Sequence, residues 1–164
     1  MAIAQNMLEE FKVEAAKTRK FLERVPEGDF DWKPHTKSMS LGQLSSHLAE
    51  IPGWGGSIFG VSEFNLEMDK YKPWVPTSRA ELLNKFDENV ESMSGALSTQ
   101  TDADMAEMWT MKMNGELRFT MPRVVVMRNF ILNHSVHHRA QLGVYLRLKD
   151  IPLPMAYGPT ADEK

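Results

Sequence analysis

Cysteine is missing altogether from this chain of 164 residues. That excludes disulfides, Cys-x-x-Cys redox or zinc motifs, iron–sulfur clusters held by the chain, and a cysteine nucleophile. Long apolar runs are missing too. None approaches the eighteen residues of an ordinary transmembrane helix, and the opening MAIAQNMLEEFK carries no basic stretch ahead of an apolar core, the mark of a signal peptide. The expectation is a cytoplasmic protein with no membrane partner. There is no basic excess either: 19 Lys and Arg stand against 22 Asp and Glu, a net charge of −3. That balance argues against nucleic acid as a partner. No Walker loop, G-x-G-x-x-G or G-x-S-x-G is present.

What remains is an ordinary globular composition, 42% apolar and 25% charged, which argues for a packed domain. The length is that of one domain, 1–164, with an extended tail from about 149 where Pro152, Pro154, Gly158 and Pro159 forbid helix. The residue types left for chemistry are His, Asp, Glu, Ser, Tyr and Arg.

Periodicity gives four long helices. Ile3, Met7, Phe11, Ala15, Thr18 and Leu22 recur at steps of three or four, giving a first helix from Ala2 to about Arg24, broken by Pro26 and Gly28. Ser40 and Gln43 form a capping-box pattern that opens a second helix with Leu41, Leu44, Leu48 and Ile51 on one face. Pro52 should kink it, since Trp54, Ile58 and Phe59 continue the apolar face. Residues 65–76 read as an irregular connection. Ser78 and Glu81 read as a second capping box, starting a third helix through Leu82, Phe86, Val90, Met93 and Leu97. Ser98–Asp104 reads as a turn. Trp109, Met111 and Met113, then Leu117 and Phe119, alternate with polar residues on either side of Asn114-Gly115, a hairpin signal. The fourth helix begins after Thr120, with Pro122 in its first turn, and runs to about Arg147. The expected fold class is all-α, a four-helix bundle with a small β-hairpin between the third and fourth long helices.

The chemistry concentrates in Asn133-His134-Ser135-Val136-His137-His138-Arg139. On a helix, His134 and His138 lie about 40° apart around the axis and one turn apart along it, so their imidazoles can meet at one point. The same stripe carries Met127, Ile131, Leu142 and Tyr145 and turns the two histidines inward, leaving His137 at its edge. His47 lies on the inward face of the second helix. Three inward imidazoles are costly to bury unless each nitrogen has a partner, and one divalent ion serves all three. Imidazole ligands suit zinc, nickel, copper or iron(II), and the residues do not choose among them; the working expectation is zinc or nickel, with manganese or iron behind. Three protein ligands leave an open position, the style of a catalytic site. Bound there, water is acidified and a thiol is deprotonated outright. The H-E-x-x-H pattern of zinc proteases is absent, because Ser135 stands where the glutamate would be. Glu50, three residues beyond His47, points about 60° away from it. With no obvious base for hydrolysis, an external low-molecular-weight thiol as co-substrate is the better match. Glu50, His137 and Tyr145 are the weak candidates for proton transfer.

These residues resemble the DinB-like (DinB/YfiT) metalloenzyme family. The features that carry the resemblance are Trp32-Lys33-Pro34, Ser40-Leu41-Gly42-Gln43-Leu44 leading to His47, His134 through Leu142, and the tail from Tyr145-Leu146-Arg147 to Tyr157-Gly158-Pro159. The similarity spans nearly the whole chain, least clearly in its middle third. It implies a four-helix bundle, commonly a homodimer, with a divalent ion on His47, His134 and His138. Related families include bacillithiol S-transferases and the mycothiol-dependent maleylpyruvate isomerase. The resemblance thus implies a metal-dependent enzyme that activates a thiol for S-transfer or isomerisation of a small-molecule substrate. The alternatives are a metal-dependent hydrolase and a non-catalytic dimeric bundle that binds metal or a ligand.

Other features have plainer readings. Met105, Met108, Met111 and Met113 invite a copper site, but methionine is chiefly a core filler. Val125, Leu132, Val136 and Gly143 form a small-residue stripe suited to a dimer seam or an internal helix contact. His35 reads as a structural or pocket-rim residue, Arg139 as a structural ion pair, and Trp54, Trp74 and Trp109 as core aromatics or the lining of a pocket mouth.

Overall fold

The computed structural model describes residues 2–164. Helix α1, Ile3–Leu22, buries Met7, Leu8, Phe11, Ala15, Thr18 and Leu22 along one side. Beyond it the chain turns through a 3₁₀ turn, Glu27–Asp29, and reaches helix α2, Leu41–Glu50. The cap of α2 is reciprocal. Gln43 N donates to Ser40 Oγ at 3.1 Å and Ser40 N donates to Gln43 Oε1 at 2.8 Å. Gly42 comes so close to the preceding loop that a Cβ would lie 3.0 Å from the Phe30 carbonyl oxygen. That oxygen accepts Gly42 N–H at 2.8 Å. At Pro52 the winding tightens to a 3₁₀ turn, Ile51–Trp54, and then resumes as α3, Gly55–Phe59. Proline kinks this element without ending it. Asn89 Nδ2 donates to the Ala49 carbonyl at 2.9 Å, where the winding changes.

Helix α4, Arg79–Ser98, is capped by Ser78 Oγ, which accepts from Glu81 N at 3.1 Å. The expected second half of that box is not made. The Glu81 carboxylate instead accepts from Thr77 N and Oγ1, both at 2.7 Å, and from Trp74 Nε1 at 3.3 Å. The stretch read as a turn after Leu97 contains a short helix, α5, Asp102–Ala106, with a complete Thr101/Asp104 capping box.

The all-α description needs correction. Strands β1 (Glu63–Leu66), β2 (Met108–Met113) and β3 (Glu116–Pro122) form one sheet in that order. β2 and β3 are antiparallel, joined by Asn114 (φ 51°) and Gly115 (φ 81°), the double positive φ of a type I′ turn. β1 pairs with β2 in parallel, so what reads in sequence as a lone hairpin is part of a three-stranded sheet. Part of the expected irregular connection is therefore strand. A four-residue strand pairing with a distant partner has no turn beside it and too little alternation to read. A bulge intervenes as well: Met111 pairs with Phe119, but Lys112 pairs with Leu117. Leu117 is accordingly 63% exposed rather than facing inward with Phe119. Pro122 ends β3 and does not enter the helix.

The last long helix has three parts: α6 (Arg123–Val126), π-helical turns at Met127–Asn133, and α7 (His134–Leu148). Arg123 is buried at its start, donating to the Ile58 carbonyl at 3.0 Å and pairing with Glu107. With α1, α2–α3 and α4 it completes the four-helix bundle, and α7 packs on both α1 and α2. The buried face of α7 runs through Ser135, Arg139, Leu142, Gly143 and Leu146. Leu132 and Gly143, half of the small-residue stripe, are used inside the chain. A Cβ at Gly143 would lie 3.2 Å from Phe21 Cε1 on α1.

Arg139 does form the expected structural ion pair. Its Nη2 meets Glu14 Oε2 and the Tyr157 hydroxyl, each at 2.5 Å, and its Nη1 donates to the Glu14 carbonyl at 3.0 Å and to Thr18 Oγ1 at 3.1 Å. Tyr157 also donates to Glu14 Oε2 at 2.6 Å, fastening the tail to α1. Lys17 and Arg139 hold the Glu14 carboxyl below its ordinary pKa against the opposing effect of burial. Because the Arg139 side chain is only 3% exposed, Arg139→Met should leave Glu14 under-compensated and cost about 3 kcal/mol. Urea denaturation of the two proteins would measure it.

Candidate metal centre

His47 sits in the last turn of α2, His134 opens α7 directly after the π-helical turns, and His138 follows one turn later. Their Nε2 atoms converge. His134 Nε2 lies 2.8 Å from His138 Nε2 and 3.3 Å from His47 Nε2, and one ligand atom from each ring falls within 4.8 Å of the others. All three rings are half-buried. They therefore stand at the edge of the core and not at its centre, where a straight α-helical count from Met127 and Ile131 would put them.

The protons of these rings do not balance without a further partner. A neutral imidazole has one N–H. His138 Nδ1 lies 2.8 Å from Gln141 Oε1, and since that oxygen only accepts, the proton is on Nδ1 and Nε2 carries a lone pair. If His134 put its proton on Nε2 to serve one neighbour, its Nδ1 would be a bare acceptor. Yet His134 Nδ1 is buried with no hydrogen-bond partner among the described residues, and the Phe130 carbonyl one turn back acts on the ring in the sense that favours a proton. With the proton on Nδ1, the side the Phe130 carbonyl favours, Nε2 is a second lone pair. Lone pairs about 3 Å apart repel unless a cation lies between them. The residues suit a divalent ion on His47, His134 and His138, with Gln141 orienting His138 from behind.

Electrostatics agree. Burial, reinforced by the neighbouring rings, lowers the pKa of His47 and of His134 to about 4. Burial also lowers that of His138, against the Gln141 hydrogen bond. At neutral pH the rings are uncharged, so each keeps one bare nitrogen able to ligate.

A cavity of about 390 Å³ opens beside His47 and His134. Trp54 and Ile58 from the kinked α2–α3 segment, Val126 and Phe130 from the last helix, and the inner face of the sheet line it, with Met68 and Tyr71. Trp54 touches both histidines, with ring centroids 5.8 Å from His47 and 5.5 Å from His134. Trp109 is held in the wall by an Nε1–H bond to the Ser57 carbonyl at 2.8 Å. The sheet that sequence reading did not assemble is thus what encloses the site. Gln141 went unnoticed as well, although its i+3 spacing from His138 was a usable signal.

The weaker candidates lie elsewhere. Tyr145 donates to the Met39 carbonyl at 3.2 Å and packs edge-on against Trp32, outside the cavity lining. His137 is exposed, its ring 4.9 Å from that of His138, on a shallow recess with Asn129 and Asn133. Glu50 does not line the cavity. Burial raises its pKa, with Lys85 opposing, and its charge in turn helps raise that of Tyr71. His35 accepts from Lys37 N at 3.1 Å, a local turn contact. Of the methionines, Met105 is in the core, Met111 is in the cavity wall and Met108 is exposed. Packing explains the first two. Trp54 and Trp109 line the cavity, whereas Trp74 does not.

Residues 1–163 match the DinB family. The chain belongs to that family. Its DinB fold is similar to two solved structures. One is a DinB-like protein from Bacillus cereus ATCC 10987, with a TM-score of 0.73 at 22% identity over 93% of this chain and 97% of that one. The other is the DinB-like protein YjoA of Bacillus subtilis, with a TM-score of 0.70 at 16% identity over 92% and 97%. The sequence is 25% identical over 159 residues to the uncharacterized protein YrdA of Bacillus subtilis strain 168, covering 96% of this chain and 90% of that protein. No helix among the described residues of this DinB protein is long and apolar enough to cross a membrane.

Two outcomes are expected. Between pH 6.5 and 4 the unfolded chain takes up protons on His47 and His134 that the folded chain refuses, so the stability of metal-free protein falls as pH drops through that window. Melting temperatures should show the fall, and His47→Gln combined with His134→Gln should flatten it. Gln141→Ala should weaken metal affinity by about 10-fold or more, read by competition with a chromogenic chelator.

Proposed function

We propose that this DinB-family protein is a divalent-metal-dependent enzyme that activates a low-molecular-weight thiol for transfer to an electrophilic small molecule, or for a thiol-assisted isomerisation. The observation that carries the reading is the convergence of the three Nε2 atoms on one point, His134 Nε2 lying 2.8 Å from that of His138 and 3.3 Å from that of His47. Three protein ligands would leave coordination open, and His47 and His134 border the cavity. A divalent ion bound there supplies Lewis acidity, which turns a thiol into a good nucleophile at neutral pH.

The protein's own groups contribute position and dryness. Gln141 fixes the ring of His138, Trp54 buttresses His47 and His134, and the aromatic wall excludes water that would compete as nucleophile. No carboxylate of the described residues lines the cavity. A hydrolase wants a general base beside the reacting water, and Glu50 is not among the residues that line the cavity, which favours a thiol over hydroxide.

Elemental analysis of untagged protein should find about one zinc, nickel, manganese or iron per chain and none in a variant with His47, His134 and His138 all changed to alanine. Loaded protein should accelerate the thiol-dependent conjugation of monochlorobimane, and His134→Ala should abolish the acceleration. Hydrolysis of esters or amides without thiol would replace this reading with a hydrolase, and full metal occupancy with neither activity would replace it with a binding bundle.

A further inference from the structure

The cavity is chemically one-sided. Phe64 pairs with Met111, and Met111 with Phe119, so three apolar side chains stand in one row across the sheet and all face the same space. Phe119 is stacked on Phe130, with ring centroids 4.9 Å apart and planes at 25°. This continues the row onto the helix that carries His134. Apart from the histidines and tryptophans, the lining residues with polar side-chain groups are Ser57 and Tyr71. Among the described residues no Lys, Arg, Asp or Glu lines it.

We infer that this cavity selects an uncharged aromatic molecule of about two rings, and that the row Phe64–Met111–Phe119 sets the size it accepts. The size follows from volume: an apolar cavity of about 150 Å³ holds one benzene, and this one is about 390 Å³. The charge selection follows from the chain's own lining in the metal-free protein, where an ionised ligand would give up its hydration and meet no opposite charge. Planar rings gain most from such a wall, because aromatic pairs add a geometric attraction to the area they bury. The inference rests on reading the cavity as the acceptor site of the metal centre, but the binding it describes does not need the ion.

The test is calorimetric titration of metal-free protein with 1-naphthol and with 1-naphthoate, two ligands of one ring system that differ in charge. 1-Naphthol should bind, and 1-naphthoate should bind at least about tenfold more weakly. Met111→Trp, which fills the middle of the row, should abolish 1-naphthol binding. Leu66→Arg, at the end of β1, should raise 1-naphthoate affinity above that of 1-naphthol. Circular dichroism melts confirm that each variant is folded, and if Met111→Trp is not, the wild-type comparison and Leu66→Arg decide. Equal affinity for the two ligands, no binding of 1-naphthol by wild type, or undiminished binding in folded Met111→Trp would overturn the inference. Metal content separates the two readings. Naphthol bound by a protein that takes up no metal overturns the metal centre alone, and metal without naphthol overturns the cavity alone.

Discussion

The buried pair of Arg139 and Glu14 fixes more of this molecule than its size suggests. Arg139 is the neighbour of His138 on α7, turned about 100° around the axis. Five of its contacts lock it to α1 and the tail: the Glu14 carboxylate and carbonyl, the Thr18 hydroxyl, and the hydroxyl and ring of Tyr157. A helix held at one position is held in rotation at the next. With Arg139 directed at α1, His138 and His134 are directed at α2, where His47 waits. The ion pair is therefore an aiming device for the triad as well as a fastening for the C-terminal tail.

The triad and the cavity depend on each other through dielectric. The aromatic and aliphatic wall removes water from one side of His47 and His134, and that loss of hydration is the largest influence lowering both pKa values. Rings that resist protonation keep their lone pairs at neutral pH, and converging lone pairs are a ligand set. A wetter pocket would hold imidazolium more readily and metal less well. The features that make the space hospitable to apolar molecules also make the histidines good ligands.

The sequence made the ligands easier to read than their surroundings. His134 and His138 are four apart on one helix, and His47 shares a face with Leu44, Leu48 and Ile51, so simple helical geometry brought them together. Ser40 with Gln43, Asn114-Gly115 and the kink at Pro52 were legible for the same reason, being local rules with local causes. The misses are non-local or break a period. β1 is four residues long and borrows its stability from β2, and the bulge at Met111 and Lys112 reverses the phase of Leu117. The π-helical turns at Met127–Asn133 bond i to i+5, so a count at one residue per 100° places His134 too deep in the core. Glu81 shows the limit of motif reading: its spacing from Ser78 is correct, yet Thr77 and Trp74 offer its carboxylate better donors.

The nitrogens that would hold the ion and most of the wall that would greet a substrate come from separate stretches of chain. The first belong to α2 and α7, the second largely to a sheet laid against the bundle from residues 63–66 and 108–122. This division of labour makes the molecule modular. The side chains at 64, 111 and 119 can be exchanged over generations while the histidines stay where Arg139 and Gln141 hold them. One histidine cluster can then be inherited unchanged while the molecules admitted beside it drift.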